Sequence, residues 1–360
     1  MSINRGQLRA LTGLALLSPA LRLLPGASAA LAGRGAWLCA LPALGALLLY
    51  ALLLQAMPCP LGELPGRALG RKAGAGILLL LSLWLCLEAG FQLRAGAERL
   101  LVALFPRCAP APFILSMGLL CLLAVLGPLS SLGRVARQGL PLILGALALI
   151  LLFSLKHLHR ENLLPLTVYD LGPVLQGALP VLSALLPGLY LPMLLAPEAV
   201  GSFRERALWL GGLCLLLSLL CLAVQGSFSP GLTAQLSLPF FTLVRNLVFF
   251  RTLERLEALA VALWIMPDFL MCSLLLFAAR NCLCRGLGRE FLPPRRRSLT
   301  ADQWPGLLCG GAAMLAGLLL APDQRSLRLF SQQILPLGDL CLGLGLIPLL
   351  YLIGKLRKKW

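Results

Sequence analysis

Apolar residues fall along this chain in repeated Leu-rich blocks separated by short polar segments. The blocks run about 18 to 24 residues, the length at which an α-helix crosses the hydrocarbon of a bilayer. Barrel strands would instead alternate strictly over about ten residues. Inside hydrocarbon every backbone N–H and C=O needs an internal partner, which a helix supplies within its own segment. The pattern predicts about ten spans, at 8–25, 36–57, 74–95, 112–132, 138–155, 172–196, 207–225, 257–279, 304–321 and 334–354. The stretch 240–250 is too short to cross; its aromatics and Arg245 predict a helix in or near the membrane interface. Pro and Gly punctuate the connections, as in Pro106-Arg107-Cys108-Ala109-Pro110, and Pro293-Pro294-Arg295-Arg296-Arg297 is the clearest linker. The expected architecture is all-α and polytopic. A single transmembrane domain covers 1–360, with the lipid bilayer as its solvent.

Composition agrees: 59% of residues are hydrophobic and 12% charged, against roughly 25% charged in soluble chains. The formal net charge of +17 forms no clustered basic face, so nucleic acid is not an expected partner. Lys and Arg read instead as topology markers. With the N-terminus inside, the cytoplasmic segments hold the larger share of the 31 Lys and Arg. They include Arg5, Arg9, Arg67, Lys72, Arg134, Arg137, the segment from Arg285 to Arg297, and the tail Lys355, Arg357, Lys358 and Lys359. Both termini are assigned to the cytoplasm, in agreement with an even span count. No small-residue cleavage site follows a short apolar core, so no cleavable signal peptide is expected.

The twelve cysteines lie mostly within the apolar blocks, and Cys282-x-Cys284 is too tight for the usual zinc pairs. They read as small buried hydrophobes. His157-x-His159 has no carboxylate or cysteine neighbour to complete a metal site, and no metal or cofactor is expected. The chain carries no nucleophile elbow, P-loop, dinucleotide-binding glycine loop or HExxH, so no catalytic residues are assigned and an enzyme is not expected.

Two spans carry helix-breaking sequence. Span 1 contains Leu17-Ser18-Pro19-Ala20 followed by Pro25; span 6 contains Pro180, Pro187-Gly188-Leu189-Tyr190, Pro192 and Pro197. Proline removes a donor and clashes with the preceding turn, so these runs are expected to open their helices. They stand first in two successive five-helix halves, the positions at which inverted-repeat transporters place discontinuous helices around a midplane site. Freed backbone groups and half-helix ends there suit the carboxylate and ammonium of a small amino-acid-like ligand. Charges inside spans are the second signal. Asp268, just after Pro267 and four residues from Trp264, is costly in hydrocarbon and reads as either ion-paired or proton-carrying. Glu88 lies deep in span 3, while Arg94 and Glu98, one turn apart, read as an ion pair. Glu254 and Glu257 flank Arg255 as an interfacial charge cluster.

Several of these residues fall into a familiar order. Glu254-Arg255-Leu256-Glu257 followed by Trp264 resembles the ERxE…W signature of GerAB-type spore germination proteins. Ile3-Asn4-Arg5-Gly6-Gln7 resembles that family's amino-terminal start, and Gly33-Arg34-Gly35-Ala36-Trp37-Leu38 the segment leading into span 2. Arg94 and Glu98 match the end of span 3, and Arg134-Val135-Ala136-Arg137 the segment before span 5. Asn162-Leu163-Leu164-Pro165 matches the next outer loop, and Pro173-Val174-Leu175-Gln176-Gly177 the segment after that loop. The family is similar to the amino acid–polyamine–organocation superfamily. The resemblance implies a LeuT-like five-plus-five inverted repeat with broken helices 1 and 6: a first repeat at about 8–155, a second at about 172–321 and a final helix at about 334–354. It also implies the B-type subunit of a nutrient germinant receptor in the endospore inner membrane, working with A-type and lipoprotein C-type subunits. Spans 1, 3, 6 and 8 would line the germinant pocket. With the breaks and buried charges this gives the candidate ligand-binding residues: Leu17, Ser18, Pro19 and Ala20; Glu88; Pro187, Gly188, Leu189 and Tyr190; Trp264 and Asp268. Where family members carry glycines at the span 1 break, this chain has Ser18-Pro19-Ala20, and Pro19 offers no N–H. A proton- or sodium-coupled amino acid permease on the same fold, with Asp268 or Glu88 as coupling group, is the alternative.

Overall fold

The first helix is fixed at its start by a reciprocal cap. Asn4 Oδ1 accepts the Gln7 N–H at 2.8 Å, and Gln7 Oε1 accepts the Asn4 N–H at 3.1 Å. The computed structural model describes residues 3–105, 107–247, 256–288 and 303–357, and every regular element among them is helical. The first half comprises α1 (Arg5–Ala32), α2 (Ala40–Gln55), α3 (Leu64–Leu69), α4 (Arg71–Ala103), α5 (Ala111–Val125) and α6 (Leu129–Ser154). Then come α7 (Leu171–Leu185), α8 (Pro187–Leu195), α9 (Phe203–Ser227), α10 (Pro230–Gln235), α11 (Pro239–Asn246) and α12 (Leu256–Gly286). The chain closes with α13 (Trp304–Leu319), α14 (Gln324–Leu329), α15 (Leu335–Leu340) and α16 (Ile347–Leu356).

Among the described residues, six segments are long and apolar enough to cross a membrane: Arg71–Val102, Leu129–His157, Val168–Leu195, Phe203–Ser227, Trp264–Gly286 and Gln324–Leu356. The bent α1 region makes a seventh. The helices α2, α5 and α13 are apolar but shorter. At 16 residues, α2 measures about 24 Å, less than the roughly 30 Å hydrocarbon layer. Each of the three stops three residues before a proline: Gln55 before Pro58, Val125 before Pro128, and Leu319 before Pro322. Proline cannot donate to the preceding turn, so the sequence itself ends these helices early. The expected single span at 112–132 is accordingly cut at Val125, and residues from Leu129 onward belong to α6.

Leucines exposed at helical spacing mark the outside of the bundle: Leu115, Leu119 and Leu123 on α5, Leu142, Leu149 and Leu152 on α6, and Leu208 and Leu215 on α9. Such stripes have no place in water and face acyl chains in a multi-pass membrane protein. The interior is built from α1, α4, α7–α8 and α12, with α12 lying along α4 and α1 crossing α6, α7 and α12. Small residues allow close approach between α4 and α13: a methyl on Gly90 would stand 2.6 Å from the Ala313 carbonyl oxygen. Buried polar side chains complete the carbonyls exposed at helix ends. Arg280 Nη1 donates to Val125 O at 2.9 Å, Asn281 Nδ2 to Leu194 O at 2.8 Å, and Arg94 Nε to Ala321 O at 2.9 Å.

The two expected breaks take a milder form than unwinding. The axis of α1 bends by 51°, but between Arg22 and Leu24 rather than at Ser18-Pro19-Ala20. Pro25 explains the position, since it denies Leu21 its hydrogen bond one turn back. In span 6 the ladder is interrupted at Leu186, where Pro187 cannot donate to Ser183. Leu186 nevertheless keeps helical dihedrals, φ −52° and ψ −43°, and Val168–Leu195 forms a single span. The last span instead carries two widened π-turns, Phe330–Ile334 and Cys341–Leu346, each two residues before a proline (Pro336 and Pro348). The short helix expected near the interface is α11. Its Phe240, Leu243 and Val244 are buried, and Phe240 packs against Trp264 with ring centroids 5.1 Å apart. Glu254, Arg255, the side chain of Glu257, the triple-Arg linker and Lys358–Lys359 lie outside the described residues.

Candidate functional site

Three helices each carry one polar face. Ser18 and Arg22 are one turn apart on α1, Trp264 and Asp268 one turn apart on α12, and Glu88, Gln92, Gly96 and Arg99 follow one another at spacings of three or four along α4. Lipid offers these groups nothing, so the three faces turn towards one another. Ser18 Oγ donates to Asp268 Oδ1, and Arg99 Nη2 donates to Asp268 Oδ2. The Asp268 side chain is 8% exposed and that of Arg99 10%. Gly96 makes room for the carboxylate, whose Oδ2 would stand 3.3 Å from a methyl built there. Asp268 is thus tied to α1 and α4 at once, a three-helix junction beside the bend in α1.

One turn beyond Ser18, Arg22 is buried, 8% exposed, and its guanidinium lies 5.0 Å from the centre of the Phe91 ring. None of its three nitrogens has a hydrogen-bond partner among the described residues. Arg22 and Arg99 together floor a cavity of about 240 Å³. Its floor is buried, and its rim is formed by exposed residues, among them Ser237 and Arg328. Glu98 stands in its wall, held by Arg94 Nη1 at 2.7 Å and by Gln324 Nε2 at 3.0 Å. A smaller void of about 20 Å³, lined by Arg22, Arg99, Trp264 and Asp268 and by the exposed Ile265, shares both arginines with this cavity and is large enough for a single water.

Deeper in the bundle lies a second polar group. Glu88 is 1% exposed and Asp339, on α15, is 2% exposed; Trp84 Nε1 donates to Asp339 Oδ1 at 3.4 Å. Glu88 Oε2, the Tyr50 and Tyr190 hydroxyls and both polar atoms of Gln92 have no hydrogen-bond partner among the described residues. A methyl on Gly338 would stand 2.0 Å from the Trp84 ring, so that glycine is what lets the indole reach Asp339.

The sequence-derived candidates therefore separate. Ser18, Trp264 and Asp268 meet at the junction. Leu17 lines a small apolar void with Trp264 and Pro267, away from the polar floor. Ala20 is buried within the packing of α1, and Pro19 passes within the helix without interrupting it. Glu88 and Tyr190 belong to the deeper polar group. Pro187, Gly188 and Leu189 are buried on α8, and Gly188 opens no gap, because a methyl there would stand 2.3 Å from Leu16 Cδ1 and 3.1 Å from Trp209. Arg22, Arg99 and Asp339 were not among the candidates. An arginine in the middle of an apolar block was a readable signal for Arg22. Arg99 and Asp339 gain their meaning only from partners far away in sequence.

Compared with known proteins, residues 2–286 match a family model described as spore germination protein. The match runs from the start of α1 to the last residue of α12, so the junction residues and both cavity-floor arginines fall within it. No curated protein matches the chain.

Proposed function

Because this chain belongs to the spore germination protein family, we propose that it is the B-type membrane subunit of a nutrient germinant receptor. It binds a small amino-acid-like nutrient in the cavity above the α1–α4–α12 junction. It spans the endospore inner membrane about ten times with both termini cytoplasmic, in a five-plus-five inverted repeat. The bend in α1 and the interruption before Pro187, each in the first span of its half, support that repeat. The observation that carries the binding reading is the cavity of about 240 Å³ with buried charged groups at its floor. That volume lies just below the roughly 300–1,000 Å³ of pockets for drug-sized ligands, which suits a smaller molecule. A nutrient that binds better to one arrangement of the junction shifts the population towards it. The shift passes to A-type and lipoprotein C-type partner subunits.

The test is genetic and biochemical together. Purified protein is screened for thermal shifts against alanine, glycine and other small nutrients, and spores lacking the gene are scored for germination on each one that shifts it. Loss of germination on those nutrients, and co-purification of A-type and C-type subunits with the tagged chain, are the expected results. Normal germination of the deletion spores on every binding nutrient would refute the receptor role.

A proton- or sodium-coupled amino acid permease is the second reading, favoured by the buried acids Glu88 and Asp339. Asp268 suits it less well, since both carboxylate oxygens already have partners. Uptake of amino acid into reconstituted vesicles, dependent on pH or sodium and lost in Glu88→Gln, would establish transport. Vesicles showing no uptake of any nutrient that binds would dismiss it.

A further inference from the structure

We infer that Arg22 is the receptor for the ligand's carboxylate, so that the site selects nutrients by a free carboxylate group; this rests on the reading of the cavity as the nutrient site. The argument starts from charge. Around the cavity, Arg99 is neutralised by Asp268, Glu98 is held by Arg94, and Arg328 at the rim donates to Ser237 Oγ at 3.2 Å. Arg22 feels the charges of Arg99, Asp268 and Glu88 but forms a salt bridge with none of the described residues. A buried guanidinium without hydrogen bonds is one of the costliest arrangements a protein can hold. Stacking on Phe91 offsets only part of that cost.

Geometry supplies the rest. Arg22 lines both the cavity of about 240 Å³ and the adjoining water-sized void, so its side chain borders space that a ligand can enter while its three nitrogens lie just under that surface. A guanidinium presents five N–H donors in a planar fork that matches the two oxygens of a carboxylate. Asp268 cannot turn to Arg22 without releasing Arg99 or Ser18. Glu88, the other acid near Arg22, does not reach salt-bridge distance either, so among the described residues no carboxylate completes Arg22 and the position is open to one from a ligand. Glu98 in the wall stands as the acidic group towards which a ligand's ammonium would point.

Equilibrium binding to the purified full-length protein tests this with four probes at matched ionic strength: L-alanine, propionate, L-alaninamide and chloride. Propionate lacks the ammonium, alaninamide lacks the carboxylate, and chloride reports any unspecific anion effect. The expected result is binding of L-alanine, of propionate, or of both, with none by alaninamide or chloride. Arg22→Met should weaken the binding carboxylate by about tenfold to a hundredfold, and Arg22→Lys should restore part of it. Near-native circular dichroism and elution volume of Arg22→Lys keep the comparison valid if Arg22→Met folds poorly. Alaninamide binding as tightly as L-alanine, or full L-alanine affinity in Arg22→Met, would overturn the assignment of Arg22 while leaving the cavity as a nutrient site. If neither these probes nor any wider nutrient panel binds the wild-type protein, the nutrient-site reading itself falls, and the Arg22 assignment with it.

Discussion

Replacing Asp268 by Asn should destabilise this protein more than any other single isosteric change in it. The carboxylate accepts from Ser18 on α1 and from Arg99 on α4 while belonging to α12. Its amide replacement is nearly the same size but uncharged, and one of its two terminal atoms donates where an acceptor is needed. Ser18 can rotate its hydroxyl to adjust. Arg99 cannot: it is buried at 9% exposure, its Nε and Nη1 have no partner among the described residues, and Arg22 is a second cation close by. Removing one partner of a buried pair costs about 3–5 kcal/mol, because an uncompensated charge stays behind. That corresponds to about two to three and a half powers of ten in the unfolding equilibrium. Reversible unfolding in mixed micelles of lipid-like detergent and dodecyl sulfate measures the change. Two further variants isolate the cause. Arg99→Gln alone should cost a similar amount, and the Asp268→Asn, Arg99→Gln double variant should cost clearly less than the sum of the two, since neither charge is stranded. A loss below about 1 kcal/mol for Asp268→Asn, or strict additivity in the double variant, would show that the pair does not hold the three helices together.

Other changes test the packing and the caps. Gly188→Ala places a methyl 2.3 Å from Leu16 Cδ1; a loss of about 1–3 kcal/mol is expected, partly recovered in the Gly188→Ala, Leu16→Ala double variant, as read by the same unfolding assay. Gly338→Ala drives a methyl into the Trp84 ring, so the indole should leave Asp339, seen as a shift in tryptophan emission; unchanged emission would place the indole elsewhere. Asn281→Leu removes the donor to the Leu194 carbonyl at the end of α8 and should cost about 1–3 kcal/mol, whereas an unaltered unfolding midpoint would argue that this carbonyl finds another donor. Glu98→Gln should loosen the cavity wall by releasing Arg94 and Gln324, measured as faster hydrogen exchange in the 94–103 segment, with no effect expected in α9.

What was legible in the sequence is what nearby residues decide. Each apolar block carries a helix, because backbone hydrogen bonds are local and lipid demands that they be complete. The Arg94–Glu98 pair could be read directly, since residues four apart share a helix face, and it closes at 2.7 Å. Prolines announced the interruptions in spans 1 and 6, and prolines three residues on account for the early ends of α2, α5 and α13. Their consequence was less legible. Whether a helix unwinds or merely bends depends on what packs around it, and α1 is buried between α6, α7 and α12.

The polar junction was only half visible, for the same reason. That Asp268 needed a partner followed from its cost in hydrocarbon; which partner it has did not, because Ser18 lies 250 positions away and Arg99 169. Arg99 sits near a helix end and reads as one basic residue among many, and Asp339 meets Trp84 only through the close approach allowed by Gly338. Between helices in lipid there is little hydrophobic force to set who neighbours whom. Close packing of small residues and the pairing of a few buried charges set it instead, and both are properties of the assembled bundle. The sequence by itself therefore determined a helical, multi-pass membrane protein with costly charges inside it. Only the tertiary structure decided that Asp268 is satisfied and that Arg22, at the floor of a cavity, has no hydrogen-bond partner among the described residues.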